Sequence, residues 1–192
     1  MRIIGGQCRG LTLAAVGKGD TAAHLRPTSD RVRESLFNVL AGGRFGDPVE
    51  EAIVLDLFSG TGALALEALS RGAASATLVD SGRAAQRLLR DNIARCRMES
   101  HAKTLSSDAT RLPARPLGQP AESLVFIDPP YGKGLGQQAL ASAATQDWIA
   151  PDALIVFEEN AAQPAPQGFT LRDQRRYGDT WITFLEADGP SQ

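Results

Sequence analysis

Between residues 52 and 160 the chain alternates short apolar runs with segments of helical periodicity, and this alternation restricts the possible folds more than any other property of the sequence. The runs are Ile53-Val54-Leu55-Asp56-Leu57, Ala76-Thr77-Leu78-Val79, Lys103-Thr104-Leu105, Leu124-Val125-Phe126-Ile127 and Leu154-Ile155-Val156-Phe157. Short, nearly continuous apolar stretches are what strands covered on both faces require. Between them, residues 62–71, 83–96 and 135–145 space their apolar side chains as helices do. Gly72 closes the first, and Leu88, Leu89 and Ile93 face inward from the second. Residues 169–177 and 180–186 read instead as two strands joined tightly through Gly178-Asp179, a hairpin turn pair. The prediction is an α/β fold, an open, doubly wound sheet that is mostly parallel with an antiparallel last strand.

The N-terminal part has a different character. Residues 2–4 and 11–14 are apolar segments around Gly5-Gly6 and Gly10, as in a small hairpin, and residues 15–25, with Gly17, Gly19 and Asp20, read as a loop. Thr28 or Ser29 offers an N-cap with Asp30 in the first turn, followed at helical spacing by Val32, Leu36, Phe37, Val39 and Leu40 and ended by Gly42-Gly43. The expected organisation is an extension over 1–46, the main domain over 47–187 and a tail over 188–192.

Composition narrows the function classes. An apolar share of 43% and a charged share of 22% are those of a soluble globular domain. No apolar run approaches the roughly 18 residues of a membrane helix. The opening Met1-Arg2-Ile3-Ile4-Gly5-Gly6 lacks a secretory core, so a cytoplasmic protein is expected. Cys8 and Cys96 lie far apart, and with only His24 and His101 besides, no metal site is readable; both thiols are expected to be free. The net charge of −2 argues weakly against a nucleic-acid partner, but its distribution softens the objection. Residues 1–46 carry seven Lys/Arg against three Asp/Glu, and the remainder thirteen against nineteen, so the N-terminal end could steer a polyanion.

In an open parallel sheet, ligands bind beyond the carboxyl ends of the central strands, and the first and fourth runs end in unusual residues. Asp56-Leu57-Phe58-Ser59-Gly60-Thr61-Gly62 leaves the first strand and opens a helix, its glycines permitting a tight turn and close backbone approach. Gly60-x-Gly62-x-x-Ala65, with Asp80 about twenty residues on, also satisfies a dinucleotide fingerprint, so an NAD-binding oxidoreductase is a rival from another class. Asp56 separates the two. A carboxylate there would repel a pyrophosphate and attract a cation, and S-adenosylmethionine carries an ammonium and a sulfonium. Asp80 would then accept hydrogen bonds from the ribose hydroxyls, and Asp108, with the Ala109 amide beside it, would serve the adenine. Each of these acids also has a plainer reading as a turn or capping residue.

Asp128-Pro129-Pro130-Tyr131 follows the fourth strand directly. Two prolines cannot continue a central strand, so the chain turns sharply. An exocyclic amine is a poor nucleophile because its lone pair is delocalised into the ring. A carboxylate and a backbone carbonyl can accept both of its protons and hold the nitrogen in line with a sulfonium methyl. Tyr131 offers a stacking platform for an extracted base, worth about 1–3 kcal/mol. Orientation of this kind supplies on the order of 7–11 kcal/mol for well-aligned reactants, and no strong base is needed.

The motif pair Asp56–Gly62 and Asp128–Tyr131 resembles class I methyltransferases that act on amino groups of nucleobases. Met1-Arg2-Ile3-Ile4-Gly5-Gly6, Arg9-Gly10, Leu13 and the block Arg26-Pro27-Thr28-Ser29-Asp30-Arg31-Val32-Arg33-Glu34-Ser35-Leu36-Phe37-Asn38-Val39-Leu40 narrow this. With Glu67–Ala73 and Tyr177-Gly178-Asp179-Thr180, they resemble the RsmD family of bacterial small-subunit rRNA guanine-N2 methyltransferases. The resemblance implies a Rossmann-like fold, S-adenosylmethionine as donor and guanine-966 of 16S rRNA as acceptor, presented to a monomeric enzyme on a partly assembled small ribosomal subunit. It implies that Asp56, Phe58, Ser59, Gly60, Thr61, Gly62, Asp80, Asp108 and Ala109 hold the cofactor and that Asp128, Pro129, Pro130 and Tyr131 hold the amine. Arg26 and Thr28 would face the active site, and Arg9, Arg31, Arg33, Arg175 and Arg176 would contact RNA or lie solvated on the surface. Asp80 stands where relatives more often carry Glu. The remaining rivals are an N6-adenine methyltransferase, for which 192 residues leave little room for a target-recognition domain, and an RNA-binding module on an inactive methyltransferase fold.

Overall fold

The computed structural model describes residues 1–15 and 30–189. Helix α1 (Asp30–Leu40) precedes the series β1 (Ile53–Leu57), α2 (Ala63–Ser70), β2 (Ser75–Val79), α3 (Arg83–Cys96), β3 (Ala102–Leu105), β4 (Glu122–Ile127), α4 (Leu135–Thr145) and β5 (Ile149–Glu159). The chain ends in a hairpin of β6 (Phe169–Tyr177) and β7 (Thr180–Ala187). These strands form one sheet in the order β3-β2-β1-β4-β5-β7-β6. Strands β1 to β5 pair in parallel, while β7 runs antiparallel to both β5 and β6. The last strand is reversed as predicted, but it is inserted inside the sheet and leaves β6 at the edge. After β3 the chain returns to the other side of β1 to add β4, so the topological switch point lies between β1 and β4.

Strand alternation sorts the core into two layers. Val54, Leu78, Leu124 and Phe126 face α1, α2 and α3, with the Phe126 ring 5.9 Å from that of Phe37. Leu55, Leu57, Val125 and Ile127 face α4, where Leu140 and Trp148 cover them. β5 is longer than the apolar run 154–157 indicates. It begins at Ile149 and passes through Pro151 and Asp152, the latter at φ 60°, beside a register shift between Glu122 and Leu124. A proline and a left-handed residue conceal the first half of that strand.

The N-terminal hairpin closes through an antiparallel bridge between Arg2 and Thr12. It is tied down by α2. The fully buried Glu67 accepts the amides of Ile4 at 2.7 Å and Gly5 at 2.8 Å, and the Ser70 hydroxyl accepts the Cys8 amide while donating to the Gly5 carbonyl. Gly6, at φ 72°, passes so close that an added Cβ would lie 1.6 Å from the Ser70 carbonyl oxygen. Ile3, Leu13, Leu36, Phe37 and Leu40 share one core with Val54, Leu66 and Phe126, so packing is continuous across residues 46 and 47. The expected loop at 15–25 (apart from Ala15), the N-cap at Thr28 or Ser29, and residues 190–192 lie outside the described residues. No helix among the described residues is long and apolar enough to cross a membrane.

Candidate active site

Register brings the two motifs together. Leu57 pairs with Val79 on one side and Ile127 on the other, and Ile127 pairs with Phe157. The next residues, Phe58, Asp80, Asp128 and Glu158, therefore lie side by side at the carboxyl end of the parallel strands, Glu158 still within β5. The Asp128 amide donates to the Leu57 carbonyl at 3.4 Å, a direct link between the Pro-Pro corner and the strand that feeds the glycine turn.

The glycine turn is built from left-handed residues. Phe58, Gly60 and Gly62 have φ of 62°, 55° and 79°. For Phe58 this is a strained backbone state of the kind that persists only where surrounding structure enforces it. Ser59 supplies part of that enforcement, its hydroxyl reaching the Asp56 and Val79 carbonyls at 3.0 and 2.8 Å. Asn92 of α3 donates to the Thr61 carbonyl at 2.9 Å, while the Thr61 hydroxyl lies against the Met1 sulfur. The Ser59 and Thr61 side chains thus shape the loop from behind, and the backbone is left to face a ligand.

Asp56 is 1% exposed, and its Oδ2 accepts the Ala65 amide in the first turn of α2 at 3.2 Å. Burial pushes its carboxyl up to about 7; the Ala65 bond opposes this and the charge of Asp80 adds to it. Asp80 spans the neighbouring turns, accepting the Gly60 amide through Oδ2 at 3.0 Å and the Gly82 amide through Oδ1 at 2.7 Å. It therefore performs the plainer turn role and also places a carboxylate beside the glycine loop. Among the described residues, no Lys or Arg forms an ion pair with Asp56 or Asp80. Two neighbouring acids without a cationic partner favour a positively charged ligand, while Gly62 is needed for packing, since a Cβ there would meet the Leu78 and Leu89 side chains at 2.9 Å. The residues present fit S-adenosylmethionine. Asp108 caps a short 3-10 turn over Ala109–Arg111, accepting the Thr110 amide and hydroxyl at 2.9 and 2.7 Å; these bonds hold its carboxyl below the usual range. Ala109 is buried beneath it.

At the other motif, Asp128 and Pro130 are half-buried, Pro129 is buried and Tyr131 is 37% exposed. The corner is supported by α4, where Gly136 approaches so closely that a Cβ would meet the Phe157 ring at 2.3 Å and Pro129 Cγ at 3.1 Å. The Tyr131 hydroxyl donates to Glu158 Oε1 at 2.6 Å and lies 3.4 Å from the Thr180 hydroxyl. The following amide, Gly132, donates to Glu159 at 3.0 Å.

The arginines divide. Arg9 and Arg31 are exposed. Arg175 is half-buried, with its Nε 2.9 Å from Asp173, and the exposed Arg176 donates to the Gly178 carbonyl. Arg33 corrects the expectation of an RNA-facing or solvated side chain. It is 0% exposed, its guanidinium bonded to the Arg2 carbonyl and to Asp30 at 2.9 Å and lying 3.8 Å from Glu67, so it braces the hairpin from inside. Arg26 and Thr28 lie outside the described residues. Sequence reasoning missed Asn92, Glu158 and Glu159, buried polar residues that bond to the loop or the corner. For the two glutamates a visible cue was charge at the end of an otherwise apolar stretch, Val156-Phe157-Glu158-Glu159; Asn92, beside Arg90-Asp91, carried none.

This sheet, with its switch point between β1 and β4 and its reversed β7, is that of a class I methyltransferase, as is the glycine turn at the end of β1. Solved structures share it over almost the whole chain. The yhhF protein of Escherichia coli has a TM-score of 0.80 at 32% identity and covers 99% of both chains, and the hypothetical protein TTHA0928 of Thermus thermophilus has 0.71 at 26%, covering 97% and 99%. The chain belongs to the family described as conserved hypothetical protein 95, whose model matches residues 1–186. Ribosomal RNA small subunit methyltransferase D of Escherichia coli is 39% identical over all of this chain and 93% of its own length, and that of Haemophilus influenzae 32% over 93% and 89%.

Proposed function

We propose that this chain transfers the methyl group of S-adenosylmethionine to the exocyclic N2 amine of a guanine in 16S rRNA, with guanine-966 as the specific acceptor. The observation that carries the reading is the pairing of Leu57 with Ile127, which sets the acid-flanked glycine turn beside the Asp128–Tyr131 corner. When bound, the cofactor supplies an electrophilic methyl on sulfur. Asp56 and Asp80 favour its positive charge and hydroxyls, the backbone of 58–62 admits it closely, and Asp108 and Ala109 border the place for its adenine. Asp128 accepts a hydrogen bond from the guanine amine and takes or passes on the proton released after transfer. The Pro129-Pro130 corner holds the backbone carbonyls rigid, and Tyr131 stacks on the base.

To reach this cleft the guanine leaves its stack, which costs a few kcal/mol and less from a loop than from a duplex. A single-stranded rRNA loop on a partly assembled small subunit is therefore the substrate form, met in the cytoplasm by a monomer. Of the arginines assigned to RNA, Arg9, Arg31 and Arg176 are exposed and Arg175 is half-buried, so each has surface to offer to phosphates; Arg26 and Thr28 are assigned to the site on the family resemblance alone. An NAD-dependent reaction is disfavoured because Asp56, at the glycine turn, would repel a pyrophosphate. The test is incubation of the protein with radiolabelled S-adenosylmethionine and unmethylated 16S rRNA, free or in assembling subunits, followed by nucleoside analysis. Label in N2-methylguanosine is expected; label in N6-methyladenosine, or none, would overturn the proposal.

A further inference from the structure

We propose that Glu158 is a positioning residue that sets the orientation of the Tyr131 ring for stacking on the target base, with Thr180 of the terminal hairpin as the second point of the clamp. The proposal rests on the reading of Tyr131 as the base platform. Glu158 and Glu159 end β5, the strand next to the one that delivers the Pro-Pro corner, and both are buried, at 5% and 3% exposure. Successive side chains of a strand point to opposite faces, yet both carboxylates reach the same loop. Glu158 receives the Tyr131 hydroxyl at 2.6 Å, while Glu159 receives the amides of Gly132 at 3.0 Å and Asn160 at 2.9 Å. The loop is thus gripped from both sides of the strand end.

A buried carboxylate is costly, and the strand could have ended in an apolar residue if packing were its only task. A tyrosine ring that is 37% exposed would otherwise turn about its first side-chain bond. A charge-assisted bond of 2.6 Å from its far end to a rigid strand removes that freedom while leaving the ring face available. The Thr180 hydroxyl, 3.4 Å from the same phenol, begins β7 directly after the Gly178-Asp179 turn, which gives the Tyr177-Gly178-Asp179-Thr180 segment a task in the site. Preorganisation of this kind affects the bound base rather than the cofactor, so its loss should appear in transfer and RNA binding and not in cofactor affinity.

The experiment compares Tyr131→Phe, Glu158→Ala, Glu158→Gln and the double variant Tyr131→Phe/Glu158→Ala with wild type. Each is assayed for transfer of labelled methyl to 16S rRNA and, separately, for S-adenosylmethionine binding by calorimetry. Tyr131→Phe and Glu158→Ala should each lower kcat/KM for RNA by about 10- to 100-fold, the worth of a hydrogen bond to a charged group, with cofactor affinity unchanged. The double variant should be no worse than the poorer single one, and Glu158→Gln, which keeps an acceptor oxygen, should recover most of the rate. Wild-type transfer by Glu158→Ala, multiplicative defects in the double variant, or a loss of S-adenosylmethionine affinity that matches the loss of transfer would overturn the proposal. Label placed by wild type on a base other than guanine would instead refute the substrate reading, while the ratios between variants would still decide the role of Glu158.

Discussion

Asp56 and Asp80 stand at the ends of neighbouring parallel strands, and the negative charge of Asp80 adds to burial in holding the Asp56 carboxyl protonated up to about pH 7. Such a pair is unfavourable in isolation and becomes favourable when a cation arrives. Binding of a cation beside the pair is expected to release that proton.

Cofactor binding should therefore depend on pH in a defined direction. Below about 7 Asp56 must lose a proton before it can serve a cation, so affinity for S-adenosylmethionine should weaken by up to about tenfold per unit as pH falls from 7. Calorimetry in buffers of different ionisation enthalpy should detect the released proton, and NAD should not bind. For the free protein the sign is opposite. A carboxyl raised from 3.8 to about 7 stabilises the fold below pH 4 relative to higher pH, and that contribution is lost as pH rises to 7, on the order of 4 kcal/mol for this fully buried group. Asp56→Asn should thus abolish cofactor binding while raising the melting temperature of the free protein above pH 7.

Asp128→Ala should reduce methyl transfer by at least about 100-fold, within the range for removal of one positioned acceptor or proton-transfer group, with cofactor affinity retained. Single-turnover assays alongside equilibrium binding separate the two. Retained turnover would remove Asp128 from the chemistry.

Gly136→Ala tests the corner from its far side. The new methyl would meet the Phe157 ring, which is 1% exposed, and Pro129. Relief requires the corner or the helix to shift, at a cost of about 1–3 kcal/mol. Denaturant melts should register that loss, and activity should fall further than stability alone explains because Pro129 moves.

Glu67 holds two hairpin amides, the Arg71 guanidinium at 2.7 Å and the charge of the buried Arg33. Glu67→Ala should cost about 3–5 kcal/mol, the loss expected when one partner of a buried ion pair is removed, since Arg33 would keep only the half-exposed Asp30 as an anionic partner and two hairpin amides would lose their acceptor. Arg33→Ala should likewise appear as lost stability, with the salt dependence of RNA binding unchanged. A reduced salt slope in a fully folded Arg33 variant would restore it as a phosphate contact.

Much of this was readable beforehand, and the failures have a common cause. The strand runs around Leu55, Leu78 and Phe126, the helices after Gly62 and Gly82, and the reversed final hairpin followed from local periodicity and turn chemistry. That the Asp56–Gly62 and Asp128–Tyr131 segments lie side by side followed from the switch-point rule, because they leave neighbouring central parallel strands, Leu57 pairing with Ile127. What local pattern cannot report is pairing over long separations. Arg33 looks like any exposed helix arginine until Glu67 and the Arg2 carbonyl are brought to it. Glu158 acquires meaning only when Tyr131 arrives from 27 residues away, and the placement of β7 inside β6 depends on which edge β5 leaves open.

The central claim is a methyl group placed on guanine N2 of 16S rRNA by the cleft between β1 and β4. Mass spectrometry of 16S rRNA from a strain lacking this gene, complemented with wild type or with Asp128→Ala, tests it most directly. One N2-methylguanosine should vanish on deletion, return with wild type and stay absent with the variant. An identical methylation pattern in all strains would contradict the account.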